Sequence, residues 1–147
     1  MRFFSLSELT RSDKAAQLGL ANTPHPEARI ALHALVEAVL DPLREHLGRP
    51  VHVSSGYRCL AVNRAVGSDD TSQHIRGEAA DIWVDGMSPR ELARAVVDLG
   101  LQVDQLIWYE PGHHKPAVHV SHTRRRRNRG EVLHWVLTEP HYREEVP

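Results

Sequence analysis

A single cysteine, Cys59, in 147 residues excludes an internal disulfide and any thiolate cluster as a metal site. Long apolar runs are missing as well. A transmembrane helix needs roughly 18 consecutive apolar residues, and the longest stretches, such as Ala34–Val39 with Glu37 inside it, fall far short. Charge of one sign is also lacking: 18 Lys and Arg against 19 Asp and Glu leave a formal net charge of −1. With 25 % charged and 41 % hydrophobic residues, the chain matches an ordinary folded domain and neither a disordered tail nor an acidic solvating protein. After Met1–Leu6 the residues Ser7, Glu8, Arg11 and Asp13 interrupt any apolar h-region, so no secretory signal is read and synthesis in the cytoplasm is expected. One domain over residues 1–147 is expected at this length.

What the chain has in excess is histidine. Eleven His stand against three Trp, three Tyr and two Phe. Histidine is the commonest metal ligand and the side chain that titrates nearest neutral pH, so a metal or acid–base site is worth seeking.

Ser7–Ser12 reads as a short helical entry and Asn22-Thr23-Pro24-His25-Pro26 as a polar turn. From Glu27 to Leu47, apolar residues recur at spacings of three and four, the period of an amphipathic helix, with Pro42 as a kink and Gly48 as its end. Val51–Ser55 alternates as a strand, Leu60–Val66 reads as a short helix, and Ala79–Val84 is a second strand. Ser88, Pro89 and Glu91 form a helix start with N-cap, first-turn proline and capping box, and this helix runs to about Leu99 before Gly100. Strands follow at Val103–Tyr109, Ala117–His122 and Val132–Leu137, with Arg124–Arg127 and Arg129 as a basic, solvated turn. The order predicts an α+β fold, a mainly antiparallel sheet with packed helices.

Alternation places Ala80, Ile82 and Val84 on the core face of the second strand and Asp81 on the other. In the strand from Ala117, Val118 and Val120 take the core face and leave His119 on the reverse. If the two strands are neighbours, Asp81 and His119 share an open face, and Gly77 gives the loop the freedom to turn His74 back over it. Such a set suits zinc, because three N and O ligands leave a fourth tetrahedral position open. Spacing alone favours the plainer reading, with Asp81 as a salt-bridge partner and the two histidines as solvated groups.

Ser72-Gln73-His74-Ile75-Arg76-Gly77-Glu78-Ala79-Ala80-Asp81-Ile82, followed by Val118-His119-Val120-Ser121, resembles the two-part zinc signature of the peptidase M15A family. That family comprises zinc D-Ala-D-Ala carboxypeptidases and related phage murein endopeptidases. Phe4–Ser12 resembles its opening, and Ser54-Ser55-Gly56-Tyr57-Arg58 with Asn63–Gly67 resembles the segment before the first ligand. The resemblance implies the fold shared by zinc D,D-peptidases and hedgehog-type domains, with Zn²⁺ held by His74, Asp81 and His119. It further implies a peptidoglycan peptide as substrate and Arg58 as the group that steadies substrate or oxyanion, a task suited to a planar, permanently charged fork. Ser72 and Ser121 are expected to support the ligands from behind.

The general base departs from the family pattern. Pro116 stands three residues before His119 where an acid or histidine is usual, and Ala117 takes the place of a common tryptophan. Gln105–Glu110 resembles a family segment with one residue added, which nominates Glu110, with His113 and His114 as rivals. The basic turn is expected to bind no specific nucleic acid, given near-zero net charge and no interleaved aromatics. His25, His33, His46, His52, His122, His134 and His141 are expected at the surface or in packing, and Cys59 as a small buried residue. The missing signal suits a phage or prophage lysis protein, or a virion-associated one, that acts on the cell wall. A zinc-containing module that binds wall fragments or a phage structural partner without cutting is the alternative.

Overall fold

A computed structural model describes residues 1–109 and 117–147. Two short helices open the chain, α1 (Leu6–Thr10) and α2 (Asp13–Leu18), each begun by a serine whose Oγ accepts an N–H of the first turn: Ser5 from Glu8 and Ser12 from Ala15. Gly19 ends α2 in the left-handed conformation. The sequence pattern had left α2 unassigned, because six residues are too few to show a period.

The long amphipathic stretch is helical throughout but not uniformly wound. It forms α3 (Pro26–Leu35), a π-helical turn (Val36–Leu40) and α4 (Asp41–Leu47). In that turn the Asp41 N–H reaches back five residues to the Val36 carbonyl. The wide turn lies directly before Pro42, which has no N–H to donate and whose ring would crowd the carbonyl four residues back. The expected kink is thus a change of winding. Leu32, Leu35, Val36, Val39, Leu40 and Leu43 remain fully buried on its inner side. At about 1.5–3 kcal/mol for each large apolar side chain, this stripe is the main anchor of the helix on the sheet.

The strands are β1 (His52–Ser55), β2 (Ala79–Trp83), β3 (Gln105–Tyr109), β4 (Val118–Ser121), β5 (Glu131–Trp135) and β6 (Tyr142–Glu144). Two helices lie between them: α5 (Leu60–Ala65) follows β1, and α6 (Pro89–Asp98) follows β2. The six strands form one sheet in the order β1-β2-β4-β3-β5-β6. All pairs are antiparallel except β3 with β5, so the α+β, mainly antiparallel architecture is the one observed. β3 begins two residues after the expected Val103, and β5 ends two before the expected Leu137. β6 had no signal in the sequence, since all three of its residues are exposed and none alternates. Ser88 caps α6 as expected, its Oγ accepting from the Glu91 N–H at 3.1 Å.

One face of the sheet carries Ala80, Ile82, Leu106, Trp108, Val118 and Val120 into the core against α3, α4 and α6. The other carries Asp81 and His119. No helix among the described residues is long and apolar enough to cross a membrane.

Candidate metal centre

Asp81 and His119 are register partners across β2 and β4. His119 Nδ1 lies 3.2 Å from Asp81 Oδ1, and His74 Nε2 lies 3.5 Å from the same oxygen. Two ligands on a tetrahedral zinc, each at about 2.0–2.1 Å, are separated by about 3.3–3.5 Å. One atom from each of the three residues lies within 4.8 Å of the others, so the group could hold a metal ion.

His74 is brought there by a loop that the backbone fixes tightly. Gly77 has φ +72°, and a Cβ on it would collide with the Ala28 carbonyl at the start of α3. No other residue allows both the turn and the approach. The His74 Nδ1 sits 2.7 Å from the Gly56 carbonyl, so Nδ1 carries the proton and donates it there, leaving Nε2 free to ligate. Gly56 in turn packs so closely on α1 that a Cβ would strike the Leu9 carbonyl.

Burial pulls the pKa of His74 below its ordinary value and outweighs the attraction of Asp81. Burial works against ionisation of Asp81 too, yet the charges and hydrogen bonds of His74 and His119 hold its carboxyl well below the usual range. A neutral imidazole and an ionised carboxylate are the forms a metal requires.

Arg58 is nine-tenths buried, and its Nε has no partner among the described residues. It lines a cleft of about 550 Å³ together with Asp81, Ser54, Ser55, Trp83 and Ala117. The backbone on either side of it is held by hydrogen bonds. The Tyr57 N–H donates to Leu9 at 2.8 Å, the Arg58 N–H to the His74 carbonyl at 3.1 Å, and the Cys59 N–H to Asn22 Oδ1 at 2.8 Å. The Asn22 Nδ2 donates to the carbonyls of Tyr57 and Thr10, each at 2.8 Å. Asn22 is thus a residue of the site's frame that the sequence reading passed over as part of a polar turn. Its only signal was a position beside Pro24, which fits many asparagines. Tyr109 also belongs to the site face, two residues beyond Ile107, the register partner of His119. Burial, then the charge of Asp81, raises its hydroxyl pKa, so it stays a donor.

The two serines differ. Ser72 Oγ accepts the His74 N–H at 3.2 Å and so shapes the ligand loop. Ser121 is fully buried and instead locks β4 to β3, its Oγ accepting the Gln105 N–H at 3.0 Å. Glu110, His113 and His114 lie outside the described residues. Cys59, expected to be buried, is only partly so and packs at the margin of the core. His134 is buried, stacked on Trp108 with ring centroids 3.6 Å apart.

The basic turn is not simply solvated. Arg125 holds Glu78 through two nitrogens at 2.9 and 3.0 Å, and Thr123 donates to the same carboxylate at 2.6 Å. Arg126 and Arg129 both hold Asp104, which is fully buried at the start of β3. The expectation fails because the two acids lie 22 to 47 residues away in the chain and are brought over only by the sheet. Three of the five arginines therefore clamp strand ends.

Two histidines and an aspartate thus converge near a buried arginine on an α+β sheet, a group that could hold a metal ion. The family model of peptidase M15 matches residues 2–121, and the chain belongs to that family. It is a peptidase of a metalloenzyme family, with a peptide as its substrate. No curated protein matches the sequence.

Proposed function

We propose that the chain is a single zinc-dependent peptidase domain of the M15A type that hydrolyses a peptide bond in peptidoglycan stem peptides or crossbridges. The observation that carries this reading is the convergence of His74, Asp81 and His119 beside the cleft lined by the buried Arg58, whose Nε has no partner among the described residues. The three ligands suit zinc by donor type and spacing. Zinc, when bound there, supplies a Lewis acid that retains positive charge after two neutral imidazoles and one carboxylate, and so acidifies water and polarises a carbonyl.

The chain's own groups do the rest. Arg58 sits where its fork can hold the carbonyl oxygen of the scissile bond as negative charge develops on it. Glu110 is assigned the proton: it takes one from the attacking water and passes it to the leaving amine, with His113 and His114 as the other candidates. Gly56 keeps Nδ1 of His74 engaged and its Nε2 aimed at Asp81. Ala117, small and buried at the cleft wall, leaves space where a larger side chain would intrude. The wall substrate is in keeping with a lysis or virion-associated role in a phage or prophage.

The test is zinc content measured together with the masses of products released from purified murein. Stoichiometric zinc and peptide products that shorten stems or open crossbridges support the reading. Zinc-loaded protein that releases no peptide from any murein supports a wall-binding module in its place.

A further inference from the structure

His74 is the one candidate ligand that no strand holds. Within its loop the N–H groups of Ile75, Arg76 and Gly77 turn back onto the carbonyls of Ser72, Gln73 and His74 at 3.2, 3.2 and 3.3 Å. These distances are at the long end for an N–H···O bond, so the turns alone hold the loop weakly. The firmer closure is made by Glu78, between the loop and β2. Its N–H donates to the Gln73 carbonyl at 3.0 Å, and Gln73 Nε2 donates to its Oε1 at 3.2 Å. One residue thus joins the two ends of the loop through backbone and side chain. Its carbonyl also accepts the His122 N–H at 2.9 Å, just past β4.

A carboxylate only 2 % exposed needs donors, and each oxygen of Glu78 has a pair of them. Oε1 accepts from Gln73 and from Arg125 Nη2; Oε2 accepts from Thr123 Oγ1 and from Arg125 Nε. Arg125 is the group that spans both oxygens with a planar fork, and its own N–H donates to Thr123 Oγ1 at 3.1 Å. Thr123 is fixed in turn by Asn128, whose Oδ1 accepts its N–H at 2.9 Å and whose Nδ2 donates to its carbonyl at 3.1 Å. This bracket is built from residues beyond 121, where the segment matched by the family model ends, while the loop it grips lies inside that segment.

Without Arg125, the buried Glu78 carboxylate keeps its charge and loses the fork that neutralises it, so it must turn towards water. Gln73, bonded to it through backbone and side chain, turns with it. Asp81 and His119 stay, because strand register holds them. The disturbance therefore falls on His74.

We propose that Arg125, acting through Glu78, is a positioning residue that fixes the loop of residues 73–77 and keeps His74 Nε2 aimed at Asp81 Oδ1. The proposal rests on the metal reading for its consequence and on the hydrogen bonds alone for its mechanics.

The experiment compares Arg125→Gln, Arg125→Lys and Arg126→Gln with the parent chain. Zinc affinity is measured by chelator competition, ligand geometry by the visible spectrum with Co²⁺ in place of zinc, and loop opening by NMR of solvent exchange at the His74 Nδ1 proton in metal-free protein. Arg126→Gln is the control for stability, since it weakens the hold on Asp104 and leaves the bonds to Glu78 in place. Arg125→Gln is expected to weaken zinc about tenfold or more, the usual effect of losing a group that orients a ligand, and to alter the Co²⁺ bands. Exchange of the His74 proton is expected to quicken at least about tenfold, since it reports local opening. Arg125→Lys, whose ammonium cannot span both oxygens, is expected between Arg125→Gln and the parent, and it carries the comparison if Arg125→Gln fails to fold. Arg126→Gln is expected to lower Tm while changing zinc affinity and exchange by no more than about twofold. Exchange as slow in the Arg125 variants as in the parent overturns the proposal, as does unchanged zinc affinity in a chain that binds zinc. Losses in Arg126→Gln as large as those in Arg125→Gln overturn it too, because the turn is then a general support of the fold. A parent chain that binds no zinc removes the metal reading, and exchange in the metal-free protein then decides the proposal by itself.

Discussion

His119 meets Asp81 directly across an antiparallel strand pair, nitrogen to oxygen at 3.2 Å, while His74 approaches the same oxygen from a loop. Two of the three proposed ligands are therefore set by sheet register and one by a turn. Register is the more rigid device, since a slip of either strand by one residue would turn its own side chain to the core face.

Metal binding follows from that arrangement. The purified protein is expected to hold one zinc per chain, and His74→Ala, Asp81→Ala and His119→Ala are each expected to lose most of it. Elemental analysis after dialysis measures this, and full zinc in all three variants would exclude the site. Circular dichroism should show the fold retained in the two histidine variants, since an open catalytic site need not supply folding energy.

The proton and the oxyanion are separable in kinetics. Glu110→Gln is expected to keep zinc and lower kcat by ~10²–10⁴ on murein peptides, while His113→Ala and His114→Ala are mild. Arg58→Lys is expected to lose rate despite keeping its charge, because an ammonium cannot reproduce a two-pronged hold. If His114→Ala is dead and Glu110→Gln is active, the base moves to the histidine.

Asn22→Ala removes two hydrogen bonds that pin the backbone on either side of Arg58 and a third to Thr10 at the end of α1. A loss of about 1–3 kcal/mol in stability is expected, with kcat falling more than zinc affinity. Denaturant unfolding and steady-state kinetics, read with zinc saturating, distinguish this from simple unfolding.

Gly77→Ala places a Cβ at φ +72° and against the Ala28 carbonyl. The left-handed conformation alone costs about 1–2 kcal/mol, and the collision adds to it. A lowered Tm and weaker zinc binding are expected together; an unchanged Tm would show that α3 gives way freely.

The clamp on Asp104 makes stability depend on acid. Burial opposes its ionisation, but Arg126 and Arg129 hold its carboxyl below the ordinary value of 3.8. The unfolded chain therefore takes up this proton at higher pH than the folded one. Its contribution is complete above about pH 5 and declines as pH falls through the unfolded value towards the folded one. Glu78, likewise held down by Arg125 and Thr123 against its burial, adds to the same decline. Asp104→Asn should be less stable at pH 7 by about 1–3 kcal/mol and show a flatter acid limb in unfolding measured against pH.

Much of this could be read from local pattern. The alternation in Ala79–Val84 and Ala117–His122 sets Asp81 and His119 each on the side of its strand away from the core, because period two is enforced by the strand itself. Ser88, Pro89 and Glu91 fixed the start of α6 for a similar reason: the cap is made by neighbours. What escaped was non-local. Nothing near Arg126 in the chain announces Asp104, and nothing near Asn22 announces the carbonyl of Tyr57. The π-helical turn escaped because Pro42 tells that the winding must change and not how. The pairing of β3 with β5 in parallel depends on where the chain travels between them, which neither strand encodes.

Gly56 offers its carbonyl to His74 on one side and its bare Cα to the Leu9 backbone on the other, so no side chain cushions the gap between α1 and the ligand. A shift of the first helix is passed backbone to backbone onto the imidazole ring. Were the three residues to hold a metal as proposed, its affinity would be expected to follow how α1 is seated.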